Sequence, residues 1–290
     1  MMYIDYITYG DTDSLYIHMD NFCKNRFGEE LWLSKSDDEK IDILNEISEC
    51  VKNYVNRRVY NEIQIGTYNS TEGNLKIHFE KEKIIKSGLF VAKKNYVTQA
   101  LWVEGEKKEK ISVTGLSIVR GDSSEAIRYR LKDVMYMILR NEPDEQIIDR
   151  ISQYKKELMN VYPEEIAANI GVSHIDKWIV NDKPIKGTPW HVKGVANYHM
   201  ILKTLGLENI YENIYEGIKA KVVYVKPNKF GAETITFHRW PKEFKDIMDI
   251  DMVKMIDKFF IKKLKILLEP MGKVSILSAD MENTVKLFFT

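Results

Sequence analysis

The spacing of apolar residues predicts an α+β chain. Three observations carry this. Short aromatic and β-branched runs, split by turn residues, crowd the first 120 positions. Longer runs of helical period then take over. One more strand pair, Lys219 to Lys226 and Glu233 to His238, returns late. The expected architecture is a partial antiparallel sheet with a packed helix over 1–120, and a mainly helical region with a small β-hairpin over 121–278. A short tail covers 279–290.

Composition sets outer limits. The chain has 290 residues, 44% hydrophobic and 30% charged, enough apolar matter for a core. No run approaches the length of a membrane span, so no membrane partner is expected. No basic segment leads into an apolar one at the start, so no secretory signal is expected. Cys23 and Cys50 lack metal-ligand spacing and read as reduced thiols. The expected setting is cytoplasmic, the host cytoplasm for a viral chain. Formal net charge is zero, so any nucleic-acid surface must be built from local clusters.

An apolar run from Tyr3 to Tyr9 leads into Tyr9-Gly10-Asp11-Thr12-Asp13-Ser14, and a second, Leu15 to Met19, leads out. With Gly10 and Asp11 as turn residues, this predicts a tight β-hairpin. Asp11 and Asp13 stand one residue apart, and residues i and i+2 share a strand face. At a hairpin tip the pair converges just beyond the sheet. Carboxylates held that close repel unless a cation lies between them. Mg²⁺, which takes one or two carboxylates plus phosphate oxygens, is the natural occupant. The plain alternative is a structural turn, where Asp and Gly are common. The whole string, set between two apolar strands, resembles motif C of the family B DNA polymerases, the palm hairpin that presents catalytic aspartate. The resemblance implies Asp11 and Asp13 as catalytic and metal-binding residues, with Asp13 the direct ligand.

Residues 34 to 65 predict a long core-facing helix. Ser36 and Glu39 have capping-box spacing, and Ile41, Leu44, Ile47, Val51, Tyr54, Val55 and Val59 recur at three- and four-residue steps. Residues 66 to 74 form a polar turn region. Leu75, Ile77 and Phe79 alternate with Lys76, His78 and Glu80, which predicts a strand from Leu75 to Ile85. On its own this is an amphipathic strand. The resemblance implies a carboxylate here beside the motif C pair, with Glu82 the preferred match and Glu80 the second choice. Val91-Ala92-Lys93-Lys94-Asn95-Tyr96 resembles the family's primer-grip element. If the segment is extended, Lys93 and Lys94 point to opposite faces, and Tyr96 shares a face with Lys94. Lys94 and Tyr96 are then the stronger DNA contacts, with Lys93 beside them. Gly105 to Lys110 reads as a solvated hairpin tip. The strand from Ile111 to Val119, broken at Gly115, leads to Arg120. This string resembles the closing palm strand, and the phosphate contact implied there rests on Arg120 alone.

Ser123 or Ser124 can cap a helix reaching about Arg140, with Ile127, Leu131, Val134, Met135 and Ile138 inward. A second helix, 144 to 161, pairs with it antiparallel. Pro163 to Ile170 reads as a short helix stopped by Gly171. Pro189 and Trp190 open a helix that Gly206 ends. A lone His191 is more often structural than a ligand. The string from Pro184 to Gly194 resembles thumbs of T4-like phage polymerases, which implies that Lys186, His191 and Lys193 face duplex phosphates. A loop entering a helix N-terminus suits anions. A further helix runs from Asp251 to about Leu268. The tail ends Leu287-Phe288-Phe289-Thr290. It resembles the short hydrophobic peptides that hold a sliding clamp, and folding back onto the thumb is the equal alternative.

Motif A, motif B and the acidic strings of a proofreading exonuclease are absent. The resemblance therefore implies a palm remainder over 1–120 and a thumb over 121–278: the C-terminal subunit of a split DNA-directed DNA polymerase. Its implied partners are an N-terminal chain with motifs A and B and exonuclease, primer–template DNA, dNTP and a sliding clamp. Mg²⁺ is its implied cofactor, with Asp11 and Glu82 assisting Asp13. The alternative is a non-catalytic remnant that binds duplex or tethers a clamp.

Overall fold

Ser36 decides where the longest helix begins. In the computed structural model, which describes residues 6–11, 13–59, 62, 78–116 and 122–277, its hydroxyl accepts from the Glu39 N–H. The Glu39 carboxylate in turn accepts from the Ser36 N–H at 2.9 Å, a reciprocal capping box. The helix so started, α3, runs Asp37–Arg58. The chain divides into two units, Met1–Gly115 and Leu116–Thr290. The fold is α+β in composition. The expected change of character at 120/121 falls within residues 117–121, outside the described set.

The first unit opens with an antiparallel pair, β1 (Ile7–Asp11) and β2 (Ser14–Ile17). Two short helices, α1 (Asp20–Phe27) and α2 (Glu29–Ser34), follow. They carry no clear apolar period and escape sequence reading. Trp32 holds them together, stacking on Phe27 at 6.2 Å while its indole N–H donates to Asp20 at 2.8 Å. Then come α3 and a three-stranded antiparallel meander, β3 (Lys83–Ala92), β4 (Asn95–Val103) and β5 (Glu106–Thr114), with β4 central. Its buried Gln99 bonds to both neighbouring strands: it accepts from Ser87 at 3.0 Å and donates to Glu109 at 2.8 Å.

Helix α3 differs from expectation. Only Ile41 of its stripe is buried, and Tyr54 is 65% exposed. Ile41 packs with Ile84 and Trp102, flanked by Leu44 and Leu101. Each such side chain contributes about 1.5–3 kcal/mol when fully buried, so this small cluster fixes one end of α3 on the sheet. The expected strand from Leu75 is also shortened. Residues 63–77 lie outside the described set, 78–82 are not strand, and β3 begins at Lys83. Glu80 and Glu82 thus precede the strand. The charged tip expected at Gly105 to Lys110 is mostly strand β5, and Lys107 pairs with Asp38 and Asp42 on α3 at 3.2 and 3.1 Å.

The second unit follows local pattern closely. α4 (Glu125–Leu139) is capped by the Ser124 hydroxyl, which accepts from the Ile127 N–H at 3.2 Å. Ile127, Leu131, Val134, Met135 and Ile138 are all buried. α5 (Asp144–Leu158) returns antiparallel, as Arg130 pairs with Glu157 at 2.8 Å while Asp133 accepts from Tyr154 at 2.7 Å. Burial, then that bond, pushes the Tyr154 phenol up to about 12. The expected helix Pro163 to Ile170 is cut short. α6 covers only Pro163–Ile166, and β6 (Ala168–Gly171) is a strand. After α7 (Ile175–Trp178), β7 (Ile179–Val180) and β8 (Lys183–Pro184) comes α8 (Trp190–Leu205), ended by Gly206 at φ 68°. β9 (Lys219–Tyr224) and β10 (Thr234–Phe237) form the expected hairpin, to which β6 adds a third strand in the order β10-β9-β6. Gly194 lets α8 lie on this sheet, because a Cβ there would meet the Thr236 hydroxyl at 2.4 Å and its nitrogen at 2.8 Å. The last long helix has a π turn, Asp257–Ile261, between α9 (Met252–Ile256) and α10 (Lys262–Leu268). The buried Lys263 ammonium anchors Asp122 at 3.0 Å and Ser123 at 2.5 Å, which fixes the entry to α4.

Candidate functional site

Four aromatic rings build the site in the first unit. Tyr9 on β1 and Tyr16 on β2 are directly paired across the hairpin. Phe90 on β3 and Tyr96 on β4 are likewise paired. The two pairs face each other. Tyr9 stacks on Phe90 at 5.4 Å, and all six ring pairs lie 5.3–5.6 Å apart. Aromatic pairs of this kind contribute roughly 0.5–1.5 kcal/mol each beyond their burial. The Tyr16 hydroxyl also donates to that of Tyr96 at 3.2 Å. The box therefore locks the acidic hairpin against the β3–β4 turn.

That lock sets the register of the tip. β1 runs on through Gly10 and Asp11, which pair with Leu15 and Ser14. Gly10 and Asp11 are thus strand residues, not the turn expected from their identities. Asp11 follows Tyr9 by two and shares its face. Its carboxylate lies 3.6 Å from the Lys94 ammonium, with Asp11 24% and Lys94 65% exposed. Asp13 follows the end of β1 and is exposed.

Lys93 and Lys94 form the turn between β3 and β4, not an extended strand. The expectation of opposite faces therefore does not apply. Lys94 has φ 59°, its N–H donates to the Tyr9 hydroxyl at 3.0 Å, and the Asn95 amide donates to the Lys93 carbonyl at 2.9 Å. Gly115, just past β5, seals the turn from behind. Its φ is +69°, and a Cβ there would stand 1.9 Å from the Lys94 carbonyl oxygen. Lys93 is exposed and makes no ion pair among the described residues. Tyr96, expected as a DNA contact, spends its ring in the box.

The two glutamates separate by geometry. Glu80 pairs with His78 at 2.6 Å and with Lys52 of α3 at 3.4 Å. Glu82 is 69% exposed and lies 3.7 Å from Lys83. The Tyr16 phenol is pushed well above its ordinary pKa, first by burial, then by the Tyr96 hydrogen bond, then by neighbouring charge that includes Glu82. Glu80 is thus tied to α3, while Glu82 stays exposed at the start of β3.

The donor chemistry suits a hard divalent ion. Asp11, Asp13 and Glu82 offer only carboxylate oxygens, and Asp11 already holds a cationic group. The set is partial: among the described residues no group of three or more His, Cys, Asp or Glu is placed to hold a metal.

In the second unit, Lys186 lies exposed on the loop before α8. The Thr188 hydroxyl folds that loop, donating to the Ile185 carbonyl at 2.6 Å. His191 and Lys193 stand in the first turns of α8, where residues two apart do not share a face. His191 is half-buried, and burial lowers its pKa. From 177 to 203 the lysines 177, 183, 186, 193 and 203 stand against the single acid Asp182. Arg120, Leu287, Phe288 and Phe289 lie outside the described residues. No described helix is long and apolar enough to cross a membrane.

The chain is 23% identical over 286 residues to the DNA-directed DNA polymerase of Enterobacteria phage T4, covering 92% of this chain and 30% of that protein. It is 25% identical over 310 residues to the DNA-directed DNA polymerase of Escherichia phage RB69, covering 98% of this chain and 31% of that protein. It thus spans about a third of the length of these relatives. The model of DNA polymerase family B matches residues 35–231, most of both units, and the chain belongs to that family.

Proposed function

We propose that this chain supplies the palm remainder and thumb of a DNA-directed DNA polymerase, and that a second polypeptide segment with motifs A and B completes the catalytic site. The observation that carries the reading is the juxtaposition at the aromatic box. A carboxylate hairpin and a two-lysine turn, far apart in sequence, are locked side by side. Acids there suit a divalent ion, and lysines suit the primer–template backbone.

In this reading Asp13 is the direct Mg²⁺ ligand, and Asp11 and Glu82 assist it. Bound metal supplies activation of the primer 3′-hydroxyl and charge neutralisation of the dNTP triphosphate. Lys93 and Lys94 hold the primer–template near the tip. Lys186, Lys193, the neighbouring lysines and Arg120 contact duplex phosphates. His191, in the first turn of α8, faces the same phosphates. Leu287, Phe288 and Phe289 tether a sliding clamp. Deleting 287–290 and measuring clamp binding tests that last role.

The test of the whole is primer extension with Mg²⁺. The chain alone is expected to be inactive, and its mixture with a polypeptide carrying motifs A and B active. Asp13→Ala should lower extension by the mixture roughly 100-fold or more, the scale of losing a preorganised electrostatic contact. Extension indifferent to Asp13→Ala would reject the metal role. The competing reading, a non-catalytic duplex binder, draws on the engagement of Asp11 by Lys94. It predicts duplex affinity independent of Mg²⁺ and no extension with any partner.

A further inference from the structure

Lys94 is held in an unusual way for a surface lysine. Its backbone is pinned on both sides: the N–H donates to Tyr9 at 3.0 Å, and the carbonyl abuts the Cα of Gly115, where not even a methyl group fits. Its φ of 59° is fixed by the turn. Only the side chain is free to swing, and it ends 3.6 Å from Asp11. The neighbouring Lys93 makes no ion pair among the described residues. One lysine of the turn thus faces outward, and the other neutralises the hairpin carboxylate.

We propose that Lys94 is a counter-ion latch on Asp11, so that seating a duplex on the Lys93–Lys94 turn and loading a divalent ion at the hairpin promote one another. The inference rests on reading the hairpin as part of a metal site. An ammonium beside Asp11 repels an incoming divalent cation. A phosphate or base edge that draws Lys94 away removes that repulsion. By linkage, the metal must raise duplex affinity by the same factor that the duplex raises metal affinity. An exposed lysine–carboxylate pair of this geometry shifts an equilibrium by roughly fivefold at most.

The test measures Mn²⁺ binding to this chain mixed with a polypeptide carrying motifs A and B, by electron paramagnetic resonance, with and without a primer–template duplex. Lys94→Met without DNA should bind Mn²⁺ about three- to fivefold tighter than wild type. The duplex should tighten Mn²⁺ binding of wild type and Lys94→Arg by a similar factor, and that of Lys94→Met not at all. Lys93→Met controls for loss of a nearby positive charge and should move Mn²⁺ affinity less than Lys94→Met. The latch is overturned if Lys94→Met binds Mn²⁺ no tighter than wild type, or if its binding still tightens with duplex. In either case a loss of Mn²⁺ binding in Asp13→Asn leaves the metal reading standing. Mn²⁺ binding unaffected by both Asp11→Asn and Asp13→Asn overturns the two together.

Discussion

Replacing Gly115 with alanine should damage the first unit by two separable effects. The first is conformational, since Gly115 sits at φ +69°, where an L side chain costs about 1–2 kcal/mol. The second is steric. The new Cβ would fall 1.9 Å from the Lys94 carbonyl oxygen, which is backbone held by its own turn. Forcing extra volume into a filled site costs roughly 1–3 kcal/mol. The sum is about 2–5 kcal/mol. Gly105 separates the two effects, because it has φ +99° but nothing within 4 Å of its Cβ position. Gly105→Ala should therefore cost only the conformational part. Native-state hydrogen exchange of β4 amides reads both, with protection falling roughly 30-fold or more in Gly115→Ala. Duplex affinity should fall as well, since the turn carrying Lys93 and Lys94 must move. Equal exchange in the two variants would refute the close packing of Gly115 on the lysine turn.

Other expectations follow from single contacts. Tyr16→Phe removes the hydroxyl pair with Tyr96 but keeps the ring box, and should cost about 1 kcal/mol in urea unfolding. Ser124→Ala removes the cap of α4 and should cost about 0.5–2 kcal/mol, restored in large part by Ser124→Asp. The Ile214 N–H donates to His199 Nε2 at 2.9 Å, and burial lowers the pKa of His199. Above its unfolded pKa, about 6.5, His199 is neutral in both states and its contribution is complete. As pH falls through that value the unfolded chain takes up the proton first, and stability declines until the folded pKa is passed, at no more than about 1.4 kcal/mol per pH unit. Thermal unfolding from pH 7.5 to 5.5 should show this slope, flattened in His199→Gln.

Sequence pattern disclosed what is local. The Ser36 and Ser124 caps, the buried stripe of α4 and the stop at Gly206 are each written within a few residues. The hairpin at Asp11 was legible too, because strand runs flank it. What pattern missed is non-local. β6 is only four residues long and exists because β9 offers it an edge. Lys94 and Tyr9 are 85 positions apart, so nothing near either reveals their bond. The same distance hid the aromatic box, and with it the register that makes Asp11 a strand residue. One clue was present: Tyr9 and Tyr16 stand symmetrically about the hairpin tip. The stripe of α3 misled for the opposite reason. Its apolar spacing is real, yet only Ile41 finds enough neighbours in this unit to be buried.

The π turn at Asp257–Ile261 acts as a one-residue gear slip. Ahead of it Met255 and Ile256 point into the core, and beyond it Leu264, Leu267 and Leu268 do so as well. A straight α-helix through the same residues would wind on by a further 100° or so between the two groups. Removing one residue from this stretch would therefore restore ordinary helical bonding and keep the leucines of α10 facing the core, whereas winding all of the same residues as α-helix would aim them at water. That undeleted, straightened helix would also swing the Lys263 ammonium off Asp122 and Ser123, loosening the start of α4 far along the chain.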